Sequence, residues 1–448
     1  MARRPFSGVL SADEGAFERL KASINPDWVD AALEATGTAT VRRRKLPAEQ
    51  VVWLVLGMAL YRHRPIDELV ERLDLVLASV GGAAARIVKS GVAKARARLG
   101  AEPLRWLFER CSVKWAMESA RRQAWRGLAV FGVDGTTVRV PDSEDNRAHF
   151  GGQYAGKQRG NSGYPLARVV TLMALRSHLL LAARFGPYDS EQKYARELWP
   201  MLPDESLAIV DRGFLDAKVL MPIARDGRNR HWLTRAKSNT VFIAMEKLGR
   251  GDDLVELNVS SEARRQDTSL PKTWTMRAIR YQRPGFKPQL LLTSLVDPKK
   301  FPAAEIVALY HERWELELGY DEVKTDLLER QEAIRSKTPG GVAQELWAVG
   351  LVYNLVRLEM ERVAGEAKVA PNRISFVMAL RLIRDEWMWL SATNSPGAIP
   401  GHLRRLRADV ARFVLPPRRA RSYPRAVKIK MSNYARKRPQ SLLAAPTK

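Results

Sequence analysis

Along residues 1 to about 125 the apolar positions show little of the strict alternation of a strand, and Ala, Leu, Arg and Glu dominate. That pattern predicts helices. Pro47-Ala-Glu opens a strongly apolar segment, Val51 to Leu60, and Pro65-Ile-Asp-Glu-Leu-Val-Glu-Arg-Leu continues with helical spacing. Gly81-Gly82 is a break. Arg86 to Leu99 (RIVKSGVAKARARL) follows as a basic helix candidate carrying Arg86, Lys89, Lys94, Arg96 and Arg98.

The pattern changes at Gly127. Leu128 to Val133 is a short apolar run that reads as a strand ending in a turn at Asp134-Gly135, and strand character resumes over Val138–Val140 until Pro141. Phe150-Gly-Gly-Gln-Tyr-Ala-Gly reads as a Gly-rich loop. Arg168 to Leu175 and Leu179 to Arg184 are strand-like, and Asp189 begins a helix to Leu198 with Glu191 in its first turn. Leu207 to Val210 is a strand that again ends at an aspartate, in Asp211-Arg-Gly-Phe. A helix over Leu215–Ala224 and a strand over His231–Ala236 complete a mixed α/β sheet with helices on its faces.

Residues 237–296 break this rhythm with Leu254–Val259, Thr273–Ile279 and Gln289–Ser294, which predict a small all-β insertion. Pro302 suits the first turn of a helix expected to run through Tyr310 to about Gln331. Pro339-Gly-Gly reads as the end of that region, and Gln344–Val363 as the next helix. From about Arg404 the chain is dense in Arg and Lys and contains Pro416-Pro417, which predicts some helix and then a basic tail. No internal repeat is present. The expected segments are 1–125, 126–236, 237–296, 297–365 and 366–448.

Charge changes the picture more than length does. The 448 residues suggest several domains, and Lys and Arg exceed Asp and Glu by 25. The isoelectric point is near 10.3. Such a chain expects a polyanion, with nucleic acid the first candidate and an anionic membrane surface the second. The basic helix at 86–99 is either laid on DNA or a solvated face of a bundle. The stretch Arg404 to Arg438, with Tyr423 and Tyr434 interleaved, is read as a source of salt-dependent phosphate contacts. A single cysteine, Cys111, excludes an internal disulfide framework and a multi-Cys zinc site, and the six histidines are scattered. The N-terminus lacks a signal peptide's apolar run, and Val51–Tyr61 is about half a membrane span. A soluble, cytoplasmic protein with no membrane partner is expected.

The helix from Pro302 carries Tyr310, Arg313, Glu317, Tyr320 and Lys324 at spacings of three and four, which places them on one face. Ile306, Leu316, Val323 and Leu327 fall on the other face and are expected to pack inward. Arg313 and Glu317 alone could be a surface pair worth a few tenths of a kcal/mol, and Asp134 or Asp211 alone could be a turn residue. Together, Asp134, Asp211 and Glu317 form a candidate site for two Mg2+ ions, which take carboxylate and phosphate oxygens. Two ions about 4 Å apart serve phosphoryl transfer. Arg313 and Lys324 would flank the site and hold phosphates.

At these residues the chain resembles the insertion-sequence-four family of bacterial DDE transposases. The family signature (Tyr, two residues, Arg, three, Glu, six, Lys) is unbroken in Tyr310-His-Glu-Arg313-Trp-Glu-Leu-Glu317-Leu-Gly-Tyr-Asp-Glu-Val-Lys324. Val133 to Thr136 and Asp211 to Phe214 match the segments holding its first and second aspartates, and Arg42-Arg-Arg-Lys-Leu-Pro47 matches its N-terminal region. The β insertion between the second aspartate and the glutamate is a family trait as well. The resemblance spans nearly the whole chain.

It implies a ribonuclease-H-like catalytic core with an all-β insertion, a helical N-terminal DNA-binding domain and a basic C-terminal region. It implies an enzyme that cuts at terminal inverted repeats and joins the freed 3′ ends to target DNA. Asp134, Asp211 and Glu317 would be catalytic and would hold two Mg2+ ions, for which Mn2+ may substitute. Tyr310, Arg313, Trp314, Lys324, Arg235 and Lys237 would contact DNA. A homodimer is implied in the synaptic complex, in a bacterial cytoplasm and at the nucleoid when bound to DNA. Some relatives stack a flipped base on a tryptophan just before Leu-Leu-Leu-Thr-Ser; here that position is Gln289, so a hairpin step is not carried over on that residue. Trp232 and Trp274 are readable as core. The competing readings are a catalytically silent DNA-binding protein and a structure-specific nuclease on the same core.

Overall fold

The computed structural model describes residues 24, 26–39, 46–72, 89–152, 163–329, 334–392 and 399–416. Arg42–Lys45, Gly81-Gly82, Arg86, most of the Gly-rich loop after Phe150, Gln331 and the basic tail from 417, with Tyr423 and Tyr434, lie outside the described residues.

The sheet is built from β1 (Ala129–Arg139), β2 (Leu166–Ala174), β3 (Leu180–Gly186), β4 (Ser206–Val210), β5 (Arg230–Arg235), β6 (Ile243–Gly249), β7 (Asp252–Asn258), β8 (Thr273–Tyr281) and β9 (Gln289–Thr293). Their order across one nine-stranded sheet is β3-β2-β1-β4-β5-β9-β8-β7-β6. β1, β4 and β5 are parallel neighbours, whereas β2 runs antiparallel between β1 and β3. The continuous apolar runs of β1 and β4 follow from this position, since central strands are covered on both faces. All of β4 is buried.

Two expectations about these strands need correction. Asp134-Gly135 is not a turn. β1 continues to Arg139 because β2 pairs with it without interruption, Asp134 opposite Thr171 and Thr136 opposite Val169. Its parallel partner β4 ends at Val210. The 237–296 segment is not all-β either. β9 pairs antiparallel with β5, so β9, β8, β7 and β6 extend the main sheet. A short helix, Ser261–Gln266, interrupts it, with the Ser260 hydroxyl accepting from the Ala263 N–H at 3.1 Å.

The N-terminal segment is helical where described: Pro26–Ala35, Ala48–Leu60, Ile66–Arg72, Lys89–Leu99 and Glu102–Arg122. The basic helix Lys89–Leu99 exposes Lys94 and Arg98, but Arg96 turns inward. There it donates to Gln344 at 2.9 Å and to Ser336 at 3.0 Å.

Pro339 opens rather than ends a helix, Pro339–Glu366. Thr338 accepts from the Gly341 N–H at 3.4 Å, and Pro suits the first turn because its missing N–H would have no intrahelical partner there. This long helix packs on Ala48–Leu60 and Glu102–Arg122, with Phe108 and Trp347 ring centroids 5.2 Å apart. Helices Phe376–Ala392 and Ile399–Ala411 follow. No helix among the described residues is long and apolar enough to cross a membrane.

Candidate active site

β1 and β4 are parallel and in register at Val133 and Val210. The next residue on each is an aspartate. Neighbouring strands lie about 4.8 Å apart, so Asp134 and Asp211 leave the sheet side by side. Asp134 remains inside β1 because of β2, while Asp211 begins the 3-10 turn Arg212–Phe214.

The predicted long helix from Pro302 is broken into three parts. Ala303–His311 and Trp314–Asp321 are α-helical, separated at Glu312-Arg313, and Glu322–Leu327 is a π-helical turn. Ile306, Leu316 and Leu327 are fully buried, as the amphipathic pattern predicts. Leu316 packs on Gly132, where an added Cβ would lie 2.7 Å from its Cδ1. Alternate residues share one face of a strand, so Gly132, Asp134 and Thr136 all look toward this helix. Tyr320 donates to the Asp134 carbonyl at 2.5 Å and meets the Thr171 hydroxyl at 2.9 Å. The Lys324 ammonium reaches the Thr136 hydroxyl at 3.2 Å.

Arg313 binds the third carboxylate to the first two. Its guanidinium lies 3.0 Å from Glu317 Oε1 and 3.9 Å from Asp134 Oδ2. Asp211 and Asp134 both act electrostatically on Arg313. Among the described residues no three His, Cys, Asp or Glu side chains are drawn close enough to enclose an ion, and Arg313 spans the gap. The donors themselves suit Mg2+ or Mn2+: they are carboxylate oxygens, two on adjacent strands and one on a helix laid over them.

Burial pushes the Asp134 carboxyl up to about 6, against the pull of the Gly135 N–H and Arg313, and Glu191 and Asp211 add to the rise. This crowding of negative charge is what a divalent ion would relieve. Between about pH 4, where an unfolded Asp ionises, and about 6 the folded protein keeps a proton that the unfolded chain has lost. Stability therefore falls as pH rises through that window and stays lower above it. Asp134→Asn removes the penalty. Without metal at pH 7.5 it is expected to gain on the order of 2 kcal/mol, with no gain near pH 4. Thermal melts in chelator at both pH values check this.

Glu191 belongs to the site, although the sequence pointed only to its place in a helix. It accepts from Arg168 at 2.5 Å, and its Cγ would stand 2.4 Å from a Cβ at position 135, so a larger residue there would have to displace the Glu191 side chain. Nothing local marks it, because the contact joins β1 to a helix far along the chain.

The other expected residues divide. Tyr310 is buried, within electrostatic reach of Arg313, Asp211 and Arg235, which brings Arg235 to the site's edge. Lys237 donates to the Leu215 carbonyl at 2.9 Å, on the loop after Asp211. Trp314 is half-buried at the start of the Glu317 helix. Gln289 accepts from the Tyr281 hydroxyl at 2.9 Å. Trp232 is core, 4.9 Å from Trp274 between ring centroids.

The chain is similar to known proteins along most of its length. Residues 14–109 match the family model for the insertion element 4 transposase N-terminal region, and residues 125–355 match that for the transposase DDE domain. The transposase InsG for insertion sequence element IS4 of Escherichia coli K12 is 37% identical over 424 residues, 94% of each chain. The putative transposase InsZ of the same organism is 36% identical over 229 residues, 50% of this chain and 73% of that protein. Among solved structures, a piggyBac transposase in a synaptic complex with hairpin DNA aligns over 90% of this chain and 86% of that one, at 12% identity and a TM-score of 0.39.

Proposed function

The chain belongs to the insertion element 4 family of DDE transposases, and from that premise we propose that it cuts DNA at the terminal inverted repeats of its element and joins the freed 3′ ends to target DNA. The observation that supports the reading is Arg313, which contacts Glu317 and Asp134 and lies within electrostatic reach of Asp211. The strand order β3-β2-β1-β4-β5, with β2 antiparallel to its neighbours, supports a ribonuclease-H-like core. Residues 1–125 are assigned to DNA binding, and a homodimer to the synaptic complex.

DDE transposase domains generally use divalent metal ions, and here Asp134, Asp211 and Glu317 would hold two Mg2+, or Mn2+ in their place. Bound there, the metal activates the attacking oxygen and stabilises the leaving one. The chain's own residues do the rest. Tyr320 fixes the backbone at Asp134 through its carbonyl. Arg313, which holds Glu317 in the DNA-free protein, takes a phosphate in bidentate fashion when DNA arrives. That exchange frees Glu317 to turn toward the aspartates. Lys324, beside Thr136, holds a phosphate as a point charge. Arg235 and Lys237 receive the DNA end along the β5 edge of the site.

Lys324→Ala is expected to weaken DNA binding uniformly across sequences and to reduce the slope of log affinity against log salt by about one. Filter binding over a salt series reads this directly. The function itself is tested with a labelled duplex carrying the inverted repeat that flanks the gene. Wild-type protein with Mg2+ should cut at the repeat boundary. Cleavage of branched junctions with no preference for repeat ends would replace the reading by a structure-specific nuclease.

A further inference from the structure

We propose that a buried polar cluster, His178, Glu315, Glu322, Tyr353 and Arg357, fixes the rotation of the Trp314–Asp321 helix and so sets the side from which Glu317 faces the two aspartates. The inference rests on the reading of Glu317 as the third metal-binding carboxylate. These five are positioning residues.

At about 100° per residue, Glu315 and Glu322 share one side of the helix, two turns apart, and Glu317 projects from nearly the opposite side. The helix is thus gripped from behind at both ends of the segment that presents Glu317. His178 lies in the turn between β2 and β3 with its side chain fully buried, held at φ 61°. Its Nε2 is 2.7 Å from Glu315, and its Nδ1 is 3.2 Å from Glu322. Arg357, on the long helix and also buried, lies 2.9 Å from Glu322 and contacts His178 Nδ1. The Tyr353 hydroxyl donates to Glu322 at 2.8 Å.

Burial pushes the Glu322 carboxyl up, but Arg357 and His178 more than reverse this and keep it ionised. Between the two grips Gly319 packs closely on Met173 and Tyr353: a Cβ there would lie 2.5 Å from Met173 Cε and 3.3 Å from the Tyr353 hydroxyl. Glu322 also opens the π-helical turn, a feature frequent at functional sites. That turn carries Lys324 to Thr136. Buried ion pairs add little stability over apolar packing, and their best-attested use is to fix one arrangement among several. An arrangement held from β2–β3, the long helix and the Glu317 helix at once is suited to that use. Losing a partner that orients a metal ligand typically lowers metal affinity by about 10–100-fold.

The test uses the full-length protein with Tyr353→Phe, Glu322→Gln and Glu317→Gln. Two readouts are taken: the Mn2+-induced rise in melting temperature, and kcat and KM for repeat-end cleavage across a Mn2+ series. Tyr353→Phe and Glu322→Gln should need about tenfold more Mn2+ for the same thermal shift. Their kcat should fall with KM for DNA unchanged, and excess Mn2+ should partly restore it. Tyr353→Phe, which removes one hydroxyl, supplies the result if Glu322→Gln folds poorly. If Glu317→Gln abolishes the Mn2+ shift while the other two leave it unchanged, the positioning role is wrong and the metal site stands. If Glu317→Gln leaves the shift unchanged, the metal reading falls and this inference with it.

Discussion

Glu317→Gln is expected to lower strand cleavage by on the order of 10⁴-fold, the scale seen when one member of a catalytic unit is removed, while binding to the repeat end stays within about twofold. The isosteric amide keeps an oxygen to accept from Arg313, so the 3.0 Å contact and the local fold survive. It removes the negative charge that a divalent ion requires. Gel-shift titration beside single-turnover cleavage separates the two effects. A parallel loss of binding and cleavage would assign Glu317 to DNA contact.

The largest stability effect is expected at Glu345. Its carboxylate is buried on the long helix, 2.8 Å from Arg62 and 3.3 Å from Arg96, and accepts from the Ser336 hydroxyl at 2.5 Å. Arg62 and Arg96 come from the N-terminal helical segment, so one carboxylate ties that segment to the core. Glu345→Ala leaves both guanidinium groups buried without their anion, and about 3–5 kcal/mol of unfolding free energy should be lost. Burial raises this carboxyl, but Arg62 and Arg96 outweigh it and the folded pKa lies below its ordinary value. Glu345 therefore contributes fully above about pH 4.3, the unfolded value, and its contribution fades as pH falls through the folded one. Urea midpoints of wild type and variant should differ most at neutral pH and converge in acid. A neutral-pH difference below about 1 kcal/mol would mean that the N-terminal helices are held by apolar packing alone.

Much of the site was legible because its signals are local. The spacing of Tyr310, Arg313, Glu317 and Lys324 needs only a helix to bring them to one face, and the apolar runs before Asp134 and Asp211 need only strands to carry them. What was not legible depends on distant partners. Asp134-Gly135 has the local chemistry of a turn, yet pairing with β2 holds it extended. Pro339-Gly-Gly has the look of a terminator, but Thr338 in front of it supplies a cap and makes it a beginning. Nothing in Gln289–Thr293 tells which strand it will join, and it joins β5, so the insertion continues the main sheet. Glu191 and His178 gave no sign of their roles, since each meets the site through a contact between segments remote in the chain. The break at Glu312-Arg313 was also hidden, because it lies within an unbroken amphipathic pattern.

Asp134, Asp211 and Glu317 are expected to share one metal site in the DNA-bound enzyme. The most direct measurement replaces Mg2+ by Fe2+ in the protein bound to its repeat end, adds ascorbate and peroxide, and maps the backbone cuts. Cuts are expected to group near positions 134, 211 and 317, all suppressed by excess Mg2+. Cuts near one of these positions only, or at sites remote from all three, would contradict it.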